Sequence, residues 1–216
     1  QLIHDPDTPT PDSALLHDEL GIVHEIGTLS KTLAPTLRVG YMLAKPSAFL
    51  DAMVQKVSDV GFSAPLLNQH VAALLLEQHA SEQIQSVKAG YREKAVQTRK
   101  WIEQYLGDEV ASIIGGRAGF YFYLTFKNVV TRQGSDFFKF LSRNTGDLSI
   151  DADTHPTVIY IPGSFCVNPN GDMVEQGNRQ LRLSFGYESL DRIHTAIKRM
   201  GQALDYAKIA CKESIQ

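Results

Sequence analysis

Residues 27–41 read Gly-Thr-Leu-Ser-Lys-Thr-Leu-Ala-Pro-Thr-Leu-Arg-Val-Gly-Tyr, with one lysine between hydroxyl side chains and an arginine further on. An amine can condense with an aldehyde, and hydroxyl and guanidinium groups can hold a phosphate. We therefore expect Lys31 to react with a cofactor that carries both an aldehyde and a phosphate. Thr28, Ser30 and Arg38 are the expected phosphate ligands, because hydroxyls donate hydrogen bonds and arginine stays charged.

The residues on either side of this motif have the pattern of strands. Residues 22–26 predict a strand that enters the motif, and residues 37–43 predict one that leaves it. Alternation along an extended segment would bring Thr28 and Ser30 to the same face. By itself a Ser-Lys-Thr triplet is more often a solvated loop, but a strand on each side favours a rigid frame for Lys31.

A second arginine lies on a segment that alternates like a half-buried strand. In residues 180–185, which read Gln-Leu-Arg-Leu-Ser-Phe, apolar side chains alternate with polar ones. Arg182 belongs to the polar face, where it is either a surface arginine or a group that binds a substrate. The presence of Lys31 favours substrate binding, while the nearby Arg179 is expected to be solvated.

Composition and charge exclude several classes of protein. The chain is 43% hydrophobic and 21% charged, as in an ordinary globular protein, and its net charge of −3 predicts no broad nucleic-acid surface. No apolar run is long enough to predict a membrane span. Only Cys166 and Cys211 occur, which predicts no disulfide scaffold and favours a reducing cytoplasm. The histidines lack metal-ligand spacing, so we expect no metal and a packing role for His24.

The lysine segment resembles the lysine motif of fold-type I pyridoxal-phosphate-dependent enzymes, the aspartate aminotransferase superfamily, and in particular its class I/II aminotransferases. Two other segments are similar to the same family. Residues 115–124 resemble the glycine-containing strand that opens its small domain, and residues 158–165 resemble a strand and loop beside its substrate entrance, where Phe165 can border the pocket.

This resemblance implies a role for each candidate residue. Lys31 would hold pyridoxal 5'-phosphate and act as the catalytic base, and Thr28, Ser30 and Arg38 would bind the cofactor phosphate. Arg182 would grip the α-carboxylate of the amino-acid substrate, which aligns the Cα–H bond for proton removal.

The resemblance also implies an α/β fold and a division into domains. Residues 1–75 would be the C-terminal part of the large domain that binds pyridoxal phosphate, a three-layer α/β/α structure around a mostly parallel sheet. Residues 76–107 would form an interdomain helix, and residues 108–216 a small C-terminal α+β domain. Because family members are longer, we expect only the C-terminal half of the family here. The missing half would carry the aspartate that binds the ring nitrogen, so this segment alone is expected to be inactive.

Hydrophobic periodicity predicts the remaining elements. A short helix is predicted over residues 46–57, and a long helical stretch over residues 66–106 with a break near Ala80. Further strands are predicted over residues 120–126, 158–161 and 180–185, with helices over 135–143, capped by Ser135, and after Ser189, with Leu190, Ile193, Ile197, Met200, Leu204 and Ala207 on one face.

An aminotransferase that moves an amino group between an amino acid and a 2-oxo acid is the leading functional hypothesis, within the aromatic, kynurenine or aminoadipate branch. The alternative is the aminotransferase-like effector domain of a GntR/MocR-type transcription regulator, whose DNA-binding part would lie upstream. A lyase or decarboxylase on the same scaffold is a third possibility. The family further implies a cytoplasmic homodimer, with no membrane contact and no direct nucleic-acid binding by this segment.

Overall fold

The computed structural model describes residues 2–154 and 156–213, with side chains described up to residue 210. The six β-strands of this part of the chain are β1 (His24–Thr28), β2 (Gly40–Ala44), β3 (Val110–Gly115), β4 (Tyr121–Phe126), β5 (Ile161–Pro162) and β6 (Gln180–Ser184). Its seven α-helices are α1 (Ala48–Val60), α2 (Leu66–Gln78), α3 (Ala80–Leu106), α4 (Asp136–Ser142), α5 (Leu148–Asp151), α6 (Val174–Gly177) and α7 (Leu190–Glu213). The chain divides into two compact units, one up to Ala89 and one from Gly90.

The first unit contains a two-stranded antiparallel sheet. β1 pairs with β2 from His24 opposite Ala44 to Thr28 opposite Gly40. A strand on each side of the motif was predicted, but the pairing between the two strands was not. Asp18, which is 5% exposed, fixes the entry to β1, because its carboxylate accepts hydrogen bonds from the amides of residues 22 and 23 at 3.1 Å. Burial alone would raise the pKa of Asp18, but these amides, with that of residue 21, lower it.

The helices of the first unit follow the predicted pattern. The side chain of Ser47 accepts a hydrogen bond from the amide of Leu50 and caps α1. The break predicted near Ala80 is confirmed, since α2 ends at Gln78 and α3 begins at Ala80. The apolar residues of α2 are mostly exposed within the described chain, however, and only Ala72 of this helix is buried.

The second unit is built on a four-stranded sheet in the order β3-β4-β6-β5. Every strand pairing in the described parts of both units is antiparallel. The mixture of helices and strands agrees with the α/β expectation, but a mostly parallel sheet is not among the pairings that this structure describes.

One face of this sheet carries the main core. The side chains of Phe122, Leu124 and Phe126 in β4 are fully buried, and Leu181 and Leu183 in β6 pack in the same cluster. Helix α7 covers this face with the apolar stripe that the sequence predicts, because the residues at its three- and four-residue steps are buried, namely Ile193, Ile197, Met200 and Leu204. Helices α3 and α4 add the buried side chains Ile102, Leu106, Phe137 and Leu141.

In the second unit, the predicted cap of α4 and the predicted strands can be compared with the structure. Ser135 caps α4 by accepting a hydrogen bond from the amide of Phe138 at 3.3 Å, as predicted. The strand predicted over residues 158–161 is shorter than expected, because only Ile161 and Pro162 pair with β6. β3 was not predicted, yet it forms one edge of the sheet. No helix within the described residues is long and apolar enough to cross a bilayer.

Candidate functional site

The four candidate cofactor-binding residues lie at the closed end of the first unit's hairpin. They are Thr28, Ser30, Lys31 and Arg38. The last strand pair joins Thr28 to Gly40, and the next hydrogen bond runs from the amide of Leu29 to the carbonyl of Val39 at 3.1 Å. The intervening residues form one connecting loop. Lys31 therefore lies within the same loop as the other three candidate cofactor ligands.

Thr28 and Ser30 are in direct contact, whereas the sequence predicted only that they share a face. The hydroxyl of Thr28 donates to the hydroxyl of Ser30 at 3.0 Å, and the amide of Ser30 donates back to Thr28 Oγ1 at 3.2 Å. The reason differs from simple strand alternation, because β1 ends at Thr28 and Ser30 already belongs to a turn. Two adjacent hydroxyls can both donate to the same phosphate oxygen or to neighbouring ones.

Lys31 follows directly in this turn. The amide of Leu33 donates to the carbonyl of Leu29 at 2.9 Å and closes one helical turn around Lys31. Leu29 is 7% exposed and anchors the turn, whereas Lys31 is exposed among the described residues. The backbone around the lysine is thus held by this turn, while the residue itself is exposed.

Arg38 lies on the returning arm of the loop. A short 3-10 turn at Pro35–Leu37 ends at Arg38, whose backbone is left-handed with φ of 53°. The guanidinium Nη1 lies 3.5 Å from the carbonyl of Pro35, which is a long hydrogen bond. Asn68 in α2 holds the turn from outside by donating to the carbonyl of Leu37 at 3.0 Å. Arg38 is exposed and available to an anion at the hairpin end.

In the second unit, Arg182 occupies the middle of a central strand. It lies opposite Tyr123 of β4 on one side and Ile161 of β5 on the other. Its side chain is exposed on the sheet face away from the main core, as the alternation predicts, while Leu181 and Leu183 point into the core. The guanidinium carbon lies 4.7 Å from the centre of the Tyr121 ring, a cation–π contact that leaves its outer edge open.

Sequence reasoning missed a hydrogen-bond network beside Arg182. Tyr123 donates to Gln180 Oε1 at 3.1 Å, and Gln180 Nε2 donates to Thr125 Oγ1 at 3.0 Å. Burial raises the pKa of Tyr123, and the nearby Cys166 thiol adds to this effect. The available signal was the alternation of Tyr121, Tyr123 and Thr125 along β4, which gives that strand a polar face like that of β6.

The structure clarifies three other residues. His24 packs edge to face on Phe49 with the ring centres 4.6 Å apart, in agreement with a packing role. Arg179 does more than contact solvent, because its Nη1 donates to the carbonyl of Lys127 at 2.6 Å. Phe165, the expected pocket aromatic, is 66% exposed in the described chain.

The protein-family comparison gives one match over almost the whole chain. The model for aminotransferases of class I and II matches residues 5–211. This range includes the lysine loop and β6, and therefore all five candidate residues.

Individual relatives cover only part of their own length. A 2-aminoadipate transaminase of Thermus thermophilus is 29% identical over 85% of this chain and 41% of the relative. An uncharacterised HTH-type transcriptional regulator of Bacillus subtilis is 27% identical over 88% of this chain and 34% of the relative. The chain thus spans less than half the length of the curated relatives that it matches.

A solved aminotransferase structure is also similar to this chain over part of its own length. The crystal structure of α-aminoadipate aminotransferase from Thermus thermophilus, complexed with N-(5'-phosphopyridoxyl)-L-leucine, superposes with a TM-score of 0.71 at 26% identity. The match covers 87% of this chain and 43% of that structure.

Proposed function

The chain belongs to the class I and II aminotransferase family, and on that premise we propose that it acts in a pyridoxal-phosphate-dependent aminotransferase that moves an amino group between an amino acid and a 2-oxo acid. The observation that carries the proposal is the hairpin loop, which joins Lys31 to two hydrogen-bonded hydroxyls and to Arg38. The relative named a 2-aminoadipate transaminase, and the solved structure that holds a phosphopyridoxyl amino acid, support the same reaction and cofactor.

The donor chemistry of the loop fits a phosphate-bearing aldehyde. Thr28 and Ser30 provide neutral donors, Arg38 provides a charged donor, and Lys31 provides a primary amine. Pyridoxal phosphate, when bound, supplies the aldehyde and an electron-accepting ring. In the proposed reaction, Lys31 Nζ would take the proton from Cα of the amino acid and pass it on to the cofactor, and in the second half-reaction it would deliver a proton to Cα of the new amino acid. The amine must be unprotonated when it accepts the Cα proton.

Arg182 is the proposed binding residue for the substrate carboxylate. Its guanidinium can bind a carboxylate through two parallel hydrogen bonds, and the Tyr121 ring supports it from one side. An amino acid and a 2-oxo acid both carry this carboxylate, so one clamp serves both halves of the reaction. The amino-acid side chain would then be selected by groups other than Arg182.

The organisation of the whole protein is proposed from the family. Residues 1–75 would belong to the large domain, with its mostly parallel sheet in a three-layer α/β/α arrangement. Residues 76–107 would form the connecting helix, and residues 108–216 the small C-terminal domain. A cytoplasmic homodimer active in amino-acid metabolism is part of the same proposal.

A regulator is the second candidate function, because one relative is named an HTH-type transcriptional regulator. An effector domain of this kind would use the same loop and Arg182 to sense a cofactor or an amino compound. Product analysis with a ¹⁵N-labelled amino acid separates the candidates. Transfer of the label to a 2-oxo acid with both carbon skeletons retained supports the aminotransferase. A changed skeleton indicates a lyase or decarboxylase, and binding without turnover favours the regulator.

The role of Lys31 is tested by trapping. The protein is incubated with equimolar pyridoxal phosphate, reduced with borohydride and digested, and the modified peptide is identified by mass spectrometry. We expect the phosphopyridoxyl group on Lys31, because this lysine belongs to the same loop as the proposed phosphate ligands. Lys31→Ala should abolish the specific adduct, whereas Lys56→Ala, at an exposed position of α1, should leave it unchanged. Labelling spread evenly over surface lysines would contradict the proposal.

A further inference from the structure

The proposed substrate clamp depends on Arg182, a long and exposed side chain. Its guanidinium makes no hydrogen bond or ion pair with the described residues, and its central carbon lies 4.7 Å from the centre of the Tyr121 ring. An arginine side chain has several rotatable bonds, so it loses conformational freedom when it binds a carboxylate. A contact that already restrains the guanidinium in the free protein reduces this loss.

The register of the sheet places Tyr121 on a diagonal from Arg182. Tyr121 of β4 lies directly opposite Ser184 of β6. Arg182 is two residues from Ser184 along β6, and both Tyr121 and Arg182 are on the exposed face of the sheet. Diagonal neighbours on one face are within reach of aromatic and long side chains. The contact therefore follows from the pairing of β4 with β6.

A second aromatic ring holds the Tyr121 ring. Phe120, the residue before β4, has its ring centre 4.4 Å from that of Tyr121. The Phe120 ring lies 5.4 Å from the ring of Tyr91 in α3, and a Cβ added to Gly186 would lie 3.1 Å from it. The amide of Phe185 also donates to the carbonyl of Phe120 at 3.0 Å. Because Phe120 is packed from several directions, it limits the movement of the Tyr121 ring.

Tyr121 differs from the aromatic residues that build the core. Phe122, the next residue of β4, is fully buried, whereas Tyr121 is 37% exposed. The hydroxyl of Tyr121 makes no hydrogen bond with the described residues, so the face of its ring is the part that contacts Arg182. Loss of the ring would therefore change the restraint on the guanidinium more than it would change the core.

We propose that Tyr121 is a positioning residue, whose ring holds the guanidinium of Arg182 in place for the carboxylate of the substrate. The inference rests on the proposed function, because it requires that Arg182 binds this carboxylate. The role belongs to the face of the ring and not to the hydroxyl. Phenylalanine can therefore replace the tyrosine, whereas an aliphatic residue cannot.

Steady-state kinetics of the complete enzyme tests this role. Tyr121→Leu should raise the KM for the amino acid about 3- to 10-fold and leave kcat within about twofold, because the clamp binds the carboxylate throughout the reaction. The affinity for 4-methylpentanoate, a carboxylate without an amino group, should fall by the same factor in calorimetric titration. Tyr121→Phe should stay within about twofold in both measurements. Tyr187→Leu, at a 95% exposed tyrosine of the same unit, is the control and should change neither.

A double-mutant cycle tests whether Tyr121 acts through Arg182. Arg182→Gln leaves no cation for the ring to hold, so adding Tyr121→Leu to it should change the KM by less than about twofold. A further rise of about 3- to 10-fold in the double variant would mean that the ring contacts the substrate itself. An equal loss in Tyr121→Phe and Tyr121→Leu would assign the effect to the hydroxyl. Either result would overturn the proposal.

The single variants separate this inference from the proposed function. An unchanged KM in Arg182→Gln would overturn the substrate role of Arg182 and this inference with it. A raised KM in Arg182→Gln together with an unchanged KM in Tyr121→Leu would overturn only the role of Tyr121. If Tyr121→Leu does not fold, Tyr121→Gln removes the ring and keeps a polar side chain on the exposed face, with the same expected results.

Discussion

The guanidinium group of Arg182 has an open edge, and the backbone of this residue is held in place. Its Cα belongs to a strand that is hydrogen-bonded on both sides, and its guanidinium lies over the Tyr121 ring at 4.7 Å. An exposed cation–π contact contributes only about 0.5–1 kcal/mol. It can therefore orient the side chain without competing with a carboxylate, whose paired hydrogen bonds to the fork are stronger.

The proposed substrate role of Arg182 makes a kinetic prediction. Arg182→Lys should raise the KM for the amino acid by about 10- to 100-fold, since a lysine keeps the charge but loses the bidentate geometry. Binding of pyridoxal phosphate should change little. The measurement is steady-state transamination of the complete enzyme, with Arg179→Lys as a matched control nearby in the chain. An unchanged KM in Arg182→Lys would remove this arginine from the substrate site.

The positions of individual side chains were predictable where they depend only on neighbouring residues of one segment. Thr28 and Ser30 lie two positions apart, so any compact turn keeps their hydroxyls together, and the structure gives 3.0 Å. The exposed face of Arg182 followed from alternation in one strand. The ring of Tyr121 beneath that arginine and the partners of Gln180 depend on the register between β4 and β6, which are far apart in the chain.

At the scale of elements, helices were predicted better than edge strands. The break between α2 and α3 and the buried stripe of α7 follow from repeats within one segment. β3 is a mixed sequence, Val-Ala-Ser-Ile-Ile-Gly, without strict alternation, and it becomes a strand because β4 pairs with it. β5 is limited to two residues and contains Pro162, which has no N–H to donate and is tolerated at the edge of a sheet.

The turn between β3 and β4 gives a prediction for stability. Gly115 has φ of +101°, and a Cβ there would lie 2.3 Å from the carbonyl oxygen of Tyr121. Gly119 has φ of +63° and nothing within 4 Å of a Cβ. Gly119→Ala should therefore cost only the left-handed strain, about 1 kcal/mol. Gly115→Ala should cost about 2–4 kcal/mol, because the backbone must also shift.

Urea denaturation followed by circular dichroism measures the free energy of unfolding of both variants. Gly119→Ala is the control for replacing a glycine in the same turn. Equal losses in the two variants would show that the contact with the Tyr121 carbonyl has no energetic consequence.

At the scale of the whole molecule, the two units have very different cores. Among the described residues, the buried apolar side chains before residue 90 are Leu2, Ile3, Leu29 and Ala72. The large continuous cluster lies entirely in the second unit and includes the aromatic residues Phe122, Phe126, Phe137 and Phe185. A two-stranded hairpin with so little buried surface is marginally stable by itself.

Hydrogen exchange should reveal this difference. We expect amides of β4 and β6 to exchange at least about tenfold more slowly than those of β1 and β2, because opening the larger core costs more free energy. Mass spectrometry of peptides from one sample compares the four strands directly, and α7 is an internal reference for the second core. Equal protection in both units would mean that β1 and β2 open only with the whole protein.

The division of the chain was the least predictable property. The structure separates its units at Ala89 and Gly90, inside the helix α3 and inside the range 76–107 that the family resemblance assigns to a connecting helix. Hydrophobic periodicity predicts the helix, but it does not predict the position in the helix where residues stop contacting the first unit and begin to contact the second. Likewise, local patterns identify strands but not their direction relative to neighbours, so the antiparallel pairing required the structure.

The central position of β6 bears on protein engineering. Moving the backbone at Arg182 would break ladders with two neighbours at once, whereas β5 and the residues that flank it are held from one side only. On the proposal that Arg182 binds the substrate carboxylate, we expect laboratory evolution toward bulkier amino acids to accumulate changes at Ile161 and Phe165 and to spare Arg182. Libraries randomised at Ile161 and Phe165 should yield more functional clones than libraries of equal size randomised along β6.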